Sequence, residues 1–441
     1  MLSLARLTHS TANILLAVVA SMVAITATAQ EQTDPVLPET ELATTLYREP
    51  LFERSKLTGD WFGTRSELAD RGFTFDLSST QFYQGVTTGG LNQSFLYGGR
   101  NDYFLNVDGE KAGLSKGSFI TLHGETRYGE TANSLTGALL PVNMMLAVPK
   151  PNGSVTALTG VKFTQFLSET MLVYAGKINT LDNFNQPLTG ASSLTGFQNT
   201  AMILNPVYAR TVPYSTYGAG FAHLKNMEPV FAAAVFDTNN TPTSSGFDKF
   251  FNNGATILAQ ANLQTNFLDL PGHLGISGTY SSGTYTNLSP TAYFDPNNGL
   301  VIVSPPKTGS WCVASNFDQA LYVSPDDPKR KWGVFGNLGI ADNNPSPVRW
   351  FGNAGISGAS PISNRNRDTF GIGYFYLGVS SNLKSLAPVL LPLGDEHGVE
   401  LYYNFQATPW CQITPDLQVV TPFRNRVETS LLFGLRAKID F

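Results

Sequence analysis

The chain has 441 residues, a formal net charge of −5, and only 14% charged side chains. So mild a charge argues against nucleic acid as a partner, and abundant Phe, Tyr, Gly, Asn, Ser and Thr favour strands and turns over helices. After the N-terminus no stretch approaches the roughly 20 apolar residues of a spanning helix, so any membrane crossing has to be made by strands.

Residues 1–29 read as a secretory signal peptide: Arg6 near the start, an apolar Ile14–Ile25 stretch, and the small-x-small site Ala27-Thr28-Ala29. Residues 30–56, rich in Glu, Thr and Pro and without periodicity, read as a flexible periplasmic leader. In 57–72 a short helix over Ser66–Arg71 stops at Gly72. From there alternation predicts strands over Phe73–Gln84, Arg100–Gly113, Gly117–Arg127, Val155–Leu167, Met171–Ile178, Pro213–Lys225, Val230–Asp237 and Ala255–Leu268. The series continues through Gly272–Tyr285, Ser310–Val323, Lys331–Ala341, a weaker Val348–Ser357, Phe370–Ser380, His397–Thr408, Trp410–Val420 and Val427–Phe441.

The last of these sorts its residues most cleanly. Val427, Thr429, Leu431, Phe433, Leu435, Ala437, Ile439 and Phe441 share one face; Glu428, Ser430, Arg436, Lys438 and Asp440 lie on the other. An apolar face toward lipid and a polar face toward water is the pattern of a transmembrane barrel strand. Connections point the same way, because short turns (Ser168-Glu169-Thr170, Asp269-Leu270-Pro271) alternate with long loops (179–212, 238–253, 286–308). Short periplasmic turns and long outer loops require that order; a sandwich does not, and a propeller would show a blade repeat. The chain therefore reads as all-β: a transmembrane antiparallel β-barrel of about sixteen strands, with a short N-terminal helix and long extracellular loops. One connection, 358–369, is too long for a periplasmic turn: either it carries structure, or the strand before it is misplaced. Cys312 and Cys411 fall at opposite rims, about 25 Å apart, beyond the reach of a disulfide, and read as free thiols.

Several stretches resemble the carbohydrate-selective outer-membrane porin family of the OprB type. LTGDWFGTRSELADRGFTFDL (57–77) resembles its N-terminal motif, with Phe62 where a Gly is usual. YFLNVDGEKAGL (103–114), VYAGKIN (173–179), QNTAMILNPVYARTVPYSTYGAGF (198–221) and VELYYNFQATPWCQITPDLQVV (399–420) resemble later segments, and LLFGLRAKIDF its end. The resemblance implies a barrel in the bacterial outer membrane that passes mono- or oligosaccharides selectively, with Phe441 read by the barrel-assembly machinery. It leaves monomer and homotrimer open.

Alternation places Arg100, Asp102, Asn106, Asp108 and Glu110, then Thr121, His123, Glu125 and Arg127, in the lumen, with Lys162, Lys177, Gln260, Asn262, Gln264, Glu400, Asn404, Gln406, Arg436 and Lys438. A charge facing lipid at mid-depth costs about 2–4 kcal/mol, so energy favours the same assignment. Sugars need planar donors and carboxylate or amide acceptors, and the resemblance implies a constriction rich in Arg and Glu. The candidate residues are Arg100, Glu110, Glu125, Arg127 and Lys177. Solvated charge ladders that only brace the wall are the competing reading. No nucleophile motif accompanies His123, no His/Cys/Asp set has metal spacing, and no phosphate loop follows a strand. The expectation is a non-enzyme without metal or cofactor, whose partners are sugars and outer-membrane lipid. A barrel with a structural, adhesive or unselective role is the alternative.

Overall fold

The computed structural model describes residues 50–182, 186, 188–189, 192–297, 299–386 and 392–441. The signal peptide and the leader up to residue 49 lie outside the described residues. Of the rest of the leader, Leu51 offers its carbonyl to Trp410 Nε1 at 2.7 Å, and Lys56 pairs with Asp76 at 2.9 Å. Helix α1 (Thr64–Asp70) follows, and Gly72, at φ +88°, ends it in the left-handed region glycine accepts most readily.

The strands are β1 (Phe73–Thr88), β2 (Phe95–Asp108), β3 (Ser118–Gly129), β4 (Val155–Ser168), β5 (Met171–Asn179), β6 (Ser215–Lys225), β7 (Glu228–Asp237), β8 (Ala255–Phe267) and β9 (Leu270–Tyr285). A hairpin of β10 (Thr291–Asp295) and β11 (Gly299–Val303) stands apart within the next loop. Then come β12 (Lys307–Val323), β13 (Lys331–Ala341), β14 (Val348–Ala359), β15 (Thr369–Val379), β16 (Glu396–Thr408), β17 (Cys411–Thr421) and β18 (Ser430–Asp440). Sixteen strands, all but β10 and β11, close an antiparallel barrel in which each pairs with its chain neighbours and β1 pairs with β18.

Exposed Phe433, Leu435, Leu401, Tyr374, Ile372, Leu338 and Ile340 mark the outer face. Where the hydrocarbon meets it, this surface supplies the apolar band a membrane barrel requires. Strand β14 stands where the weaker pattern put it, and the long connection 360–368 carries structure. Arg365 chelates Asp368 (2.6 and 3.0 Å), and Ser360 N donates to the Asp368 carbonyl. One expected loop is shorter than read, because β1 runs on to Thr88 and β2 begins at Phe95, so 85–99 is mostly strand. The two cysteines are free.

The outer connection 130–154 and the described residues of 180–214 fold into the lumen and build an apolar core there. Leu140, Val142, Met144 and Leu146 from the first, and Phe197, Met202, Leu204 and Val207 from the second, are buried with Phe335, Phe351, Phe375 and Tyr402 of the wall. Phe197 packs edge-on against Tyr402 at 4.8 Å. Gly371 makes room for it, since a Cβ there would lie 2.5 Å from the Tyr402 ring and 2.7 Å from that of Phe197. Short helices α2 (Asn133–Thr136) and α3 (Thr200–Ile203) shape these loops, and α4 (Ser381–Lys384) lies in the loop before β16.

The topology makes a direct prediction. Phe247, 70% exposed in the outer loop 238–254, replaced by Cys should react with an impermeant maleimide on intact cells. Cys in place of Glu169, in the β4–β5 turn, should react only after the outer membrane is opened. The reverse pattern would turn the barrel over.

Candidate functional site

The paired register of β2 and β3 sets Asp102 beside Glu125, Phe104 beside His123 and Arg100 beside Arg127, all on the inner face. Arg100 Nε and Nη2 reach Asp102 at 2.6–3.0 Å, and Nη2 reaches Glu125 Oε1 at 2.6 Å. Glu125 also accepts from Tyr214 OH at 2.5 and 2.6 Å and from Asn179 Nδ2 at 2.8 Å. His123 joins Asp102 through Nε2 at 3.0 Å and Asp182 through Nδ1 at 2.5 Å, while Phe104 stacks on its ring at 3.9 Å. Arg100, Asp102, His123, Glu125, Asn179 and Tyr214 are all buried. One guanidinium therefore faces two carboxylates, with a histidine, an amide and a phenol completing the shell. Buried charges persist only when paired and hydrogen-bonded, and this network provides both.

Arg127 is inward and buried, but it does not join that network. Its Nε donates to the Leu146 carbonyl at 3.0 Å and Nη1 to that of Gly153 at 2.6 Å, so it fastens the inward loop 130–154. Glu110 stands apart. Asp108 Oδ1 accepts from the backbone N–H of Glu110 and Lys111, which ends β2 in a side-chain turn and leaves Glu110 exposed in the β2–β3 connection.

Lys177 stands apart from the network as well. It pairs directly with Val161 and Tyr217, and its ammonium donates to the Ser244 carbonyl, 2.7 Å away on the loop 238–254.

Across β1 lies a second inward group that reading for charge at the constriction missed. Glu400 accepts the backbone N–H of Gln198 (2.5 Å) and Asn199 (3.0 Å), and Arg436 donates to the carbonyls of Ser193 (3.2 Å) and Gly196 (2.8 Å). Gln418 bridges Asp416 and the Val142 carbonyl, and Glu396 accepts from the N–H of Leu139 and Leu140. The wall's charges thus hold both inward loops through their backbones. Asn179 and Tyr214 lie in segments already resembling the family, which was the one available signal for them; Asp182 lies in a loop without periodicity.

Asp102, His123 and Glu125 place ligand atoms within 4.8 Å of one another, close enough to share a cation. Arg100 Nη2 already reaches both carboxylates at 2.6 Å, so the cluster is an ion-pair network in composition.

A family model described as carbohydrate-selective porin, OprB family, matches residues 92–441. Over 152 residues the chain is 26% identical to Porin B of Pseudomonas aeruginosa, a match covering 31% of this chain and only 33% of that protein. The fold is similar to the high-pH structure of Pseudomonas putida OprB, with a TM-score of 0.76 at 21% identity over 89% of this chain and 100% of the other. The low-pH structure of the same protein gives 0.55 at 18% identity, covering 88% and 99%.

Proposed function

Because the chain belongs to the carbohydrate-selective porin family, OprB type, and so to the bacterial outer membrane, we propose that it is a passive channel that admits sugars into the periplasm. The observation that supports this reading is a closed barrel whose lumen two inward loops narrow, each fastened to the wall by charged side chains. Arg100, Asp102, His123, Glu125, Asn179 and Tyr214 bring donors and acceptors together on one stretch of lumenal wall. Ion-paired charges of opposite sign weaken the field that passing ions meet. Weak, plural contacts also allow release, which conduction requires.

In this reading the buried Arg100–Glu125 pair braces the wall beside the sugar's path, and Arg127 sets the loop that narrows that path. Glu110 and Lys177 have no part in the constriction. No residue acts catalytically. Membrane lipid surrounds the wall, and the barrel-assembly machinery reads the terminal strand through Phe441, whose N–H closes onto the Leu77 carbonyl of β1 at 2.9 Å. A structural or unselective barrel is the second reading; the apolar core filling part of the lumen favours it. Ion current through single barrels in a planar bilayer separates the two. Added glucose should reduce the current in a saturable way. A conductance insensitive to any sugar, or no conductance, would reject the sugar channel.

A further inference from the structure

Five strands that are neighbours in the wall carry a continuous row of inner positions. The register links Asn262 of β8 to Gly275 of β9, Gly275 to Asn316 of β12, Asn316 to Asn337 of β13, and Asn337 to Asn353 of β14. Directly paired residues point to the same face, and the adjacent Leu263, Ile276, Phe317 and Leu338 are exposed toward the outside. The row is therefore lumenal. Asn337 Nδ2 donates to Asn353 Oδ1 at 2.9 Å, and Asn353 Nδ2 to the Ala201 carbonyl at 2.6 Å. Asn262 Nδ2 donates to the Pro229 carbonyl at 3.1 Å. Asn316, between them, is exposed to the lumen, and its amide makes no hydrogen bond among the described residues. Gly275 completes the arrangement by having no side chain. A Cβ there would lie 2.8 Å from Asn262 Oδ1 and collide with Asn316 Oδ1. Two amide oxygens thus converge over a gap.

We infer that the row Asn262–Asn316–Asn337 is a second carbohydrate subsite, an uncharged track for linear oligosaccharides. The inference rests on the sugar-channel reading and deepens it. Each primary amide offers two donors and an acceptor without a net charge, so the row engages hydroxyls and leaves ion selectivity to the Arg100 network. Strands lie about 4.8 Å apart, similar to the length one hexose adds to a linear chain. The three strand steps from Asn262 to Asn337 make a row of roughly 14 Å. Barrel strands tilt by about 35–45°, so a row across them runs obliquely along the lumen, in the direction of transport. A single hexose spans too few of these amides to be held there; a linear chain spans them all.

The test compares current block by glucose with block by maltose through maltohexaose. In the unaltered barrel the block should tighten with chain length. A neutral hydrogen bond contributes about 0.5–1.5 kcal/mol, or about 2–10-fold in affinity. The triple variant Asn262→Ala, Asn316→Ala, Asn337→Ala should therefore lose about tenfold or more for the longer chains. Glucose block, open conductance and reversal potential should stay unchanged, because no charge is removed. Asn316→Ala alone breaks no bond within the wall and should show a smaller loss in the same direction. Gly275→Ala should do the same by forcing the two amides apart. If maltohexaose still blocks both the triple and the Asn316→Ala barrels as tightly as the unaltered one, while glucose block persists, the track is wrong and the sugar channel stands. If no sugar blocks the unaltered barrel, the channel reading falls and the track with it.

Discussion

Replacing Arg100 with Ala should cost about 3–5 kcal/mol of barrel stability, the usual loss when one partner of a buried ion pair is removed. Asp102 and Glu125, both buried, would be left facing each other across β2 and β3 without a counter-charge. The same change should weaken glucose block several-fold and move small-ion selectivity toward cations, since only the negative members of the network remain. Arg100→Lys should recover some stability and little sugar block, because an ammonium cannot reproduce the fork that meets Asp102 and Glu125 together. A neutralised set, Arg100→Gln with Asp102→Asn and Glu125→Gln, should restore stability more than selectivity. Heat-modifiable gel mobility reads the first effect and reversal potentials the second. Unchanged mobility and reversal potential in Arg100→Ala would remove this network from the constriction. The shift in ion selectivity should fade as salt is raised, since the screening length is about 10 Å at 0.1 M.

Releasing the second inward loop should have an effect of similar size by another route. Glu400 and Arg436 hold residues 193–199 by four backbone hydrogen bonds. Hydrogen bonds to a charged group are worth about 1.5–3 kcal/mol each. The double variant Glu400→Ala, Arg436→Ala should keep the barrel assembled, because the β16–β17 and β17–β18 ladders do not depend on either side chain. Its current should become noisier and larger, and glucose block should fall about tenfold or more as the loop leaves its seat. Glu400→Gln should be milder, since the amide oxygen still accepts from the loop. Steady conductance and full sugar block in the double variant would mean that the apolar packing of Phe197 and Met202 holds the loop without help.

The wall was legible because lipid outside and water inside sort residues at every second position, and β18 shows that sorting most plainly. Connection lengths supplied the rest of the topology. The pattern weakened where the inside is not water. Strand β14, with Phe351 turned onto the inward loops and Trp350 and Ile356 outward, is apolar on both faces, so its alternation is faint. Of the candidate site, Arg100 and Glu125 were legible from alternation alone. Arg127 was placed on the right face, but nothing local shows that the carbonyls of Leu146 and Gly153 will reach it. Glu110 failed at a boundary, where the Asp108 side chain ends the strand five residues before its expected end. Asp182, and the loop backbone held by Glu400 and Arg436, belong to segments without period, and only the folded chain brings them to the wall.

The central claim is that this barrel passes sugars in preference to other solutes of the same size, and liposome swelling tests it most directly. Purified protein in liposomes should let glucose and short glucose oligomers in several-fold faster than uncharged non-carbohydrate solutes of matched molecular weight. Arg100→Ala should narrow that ratio. Entry rates that follow molecular size alone, equal for sugars and for matched non-sugars, would contradict the account.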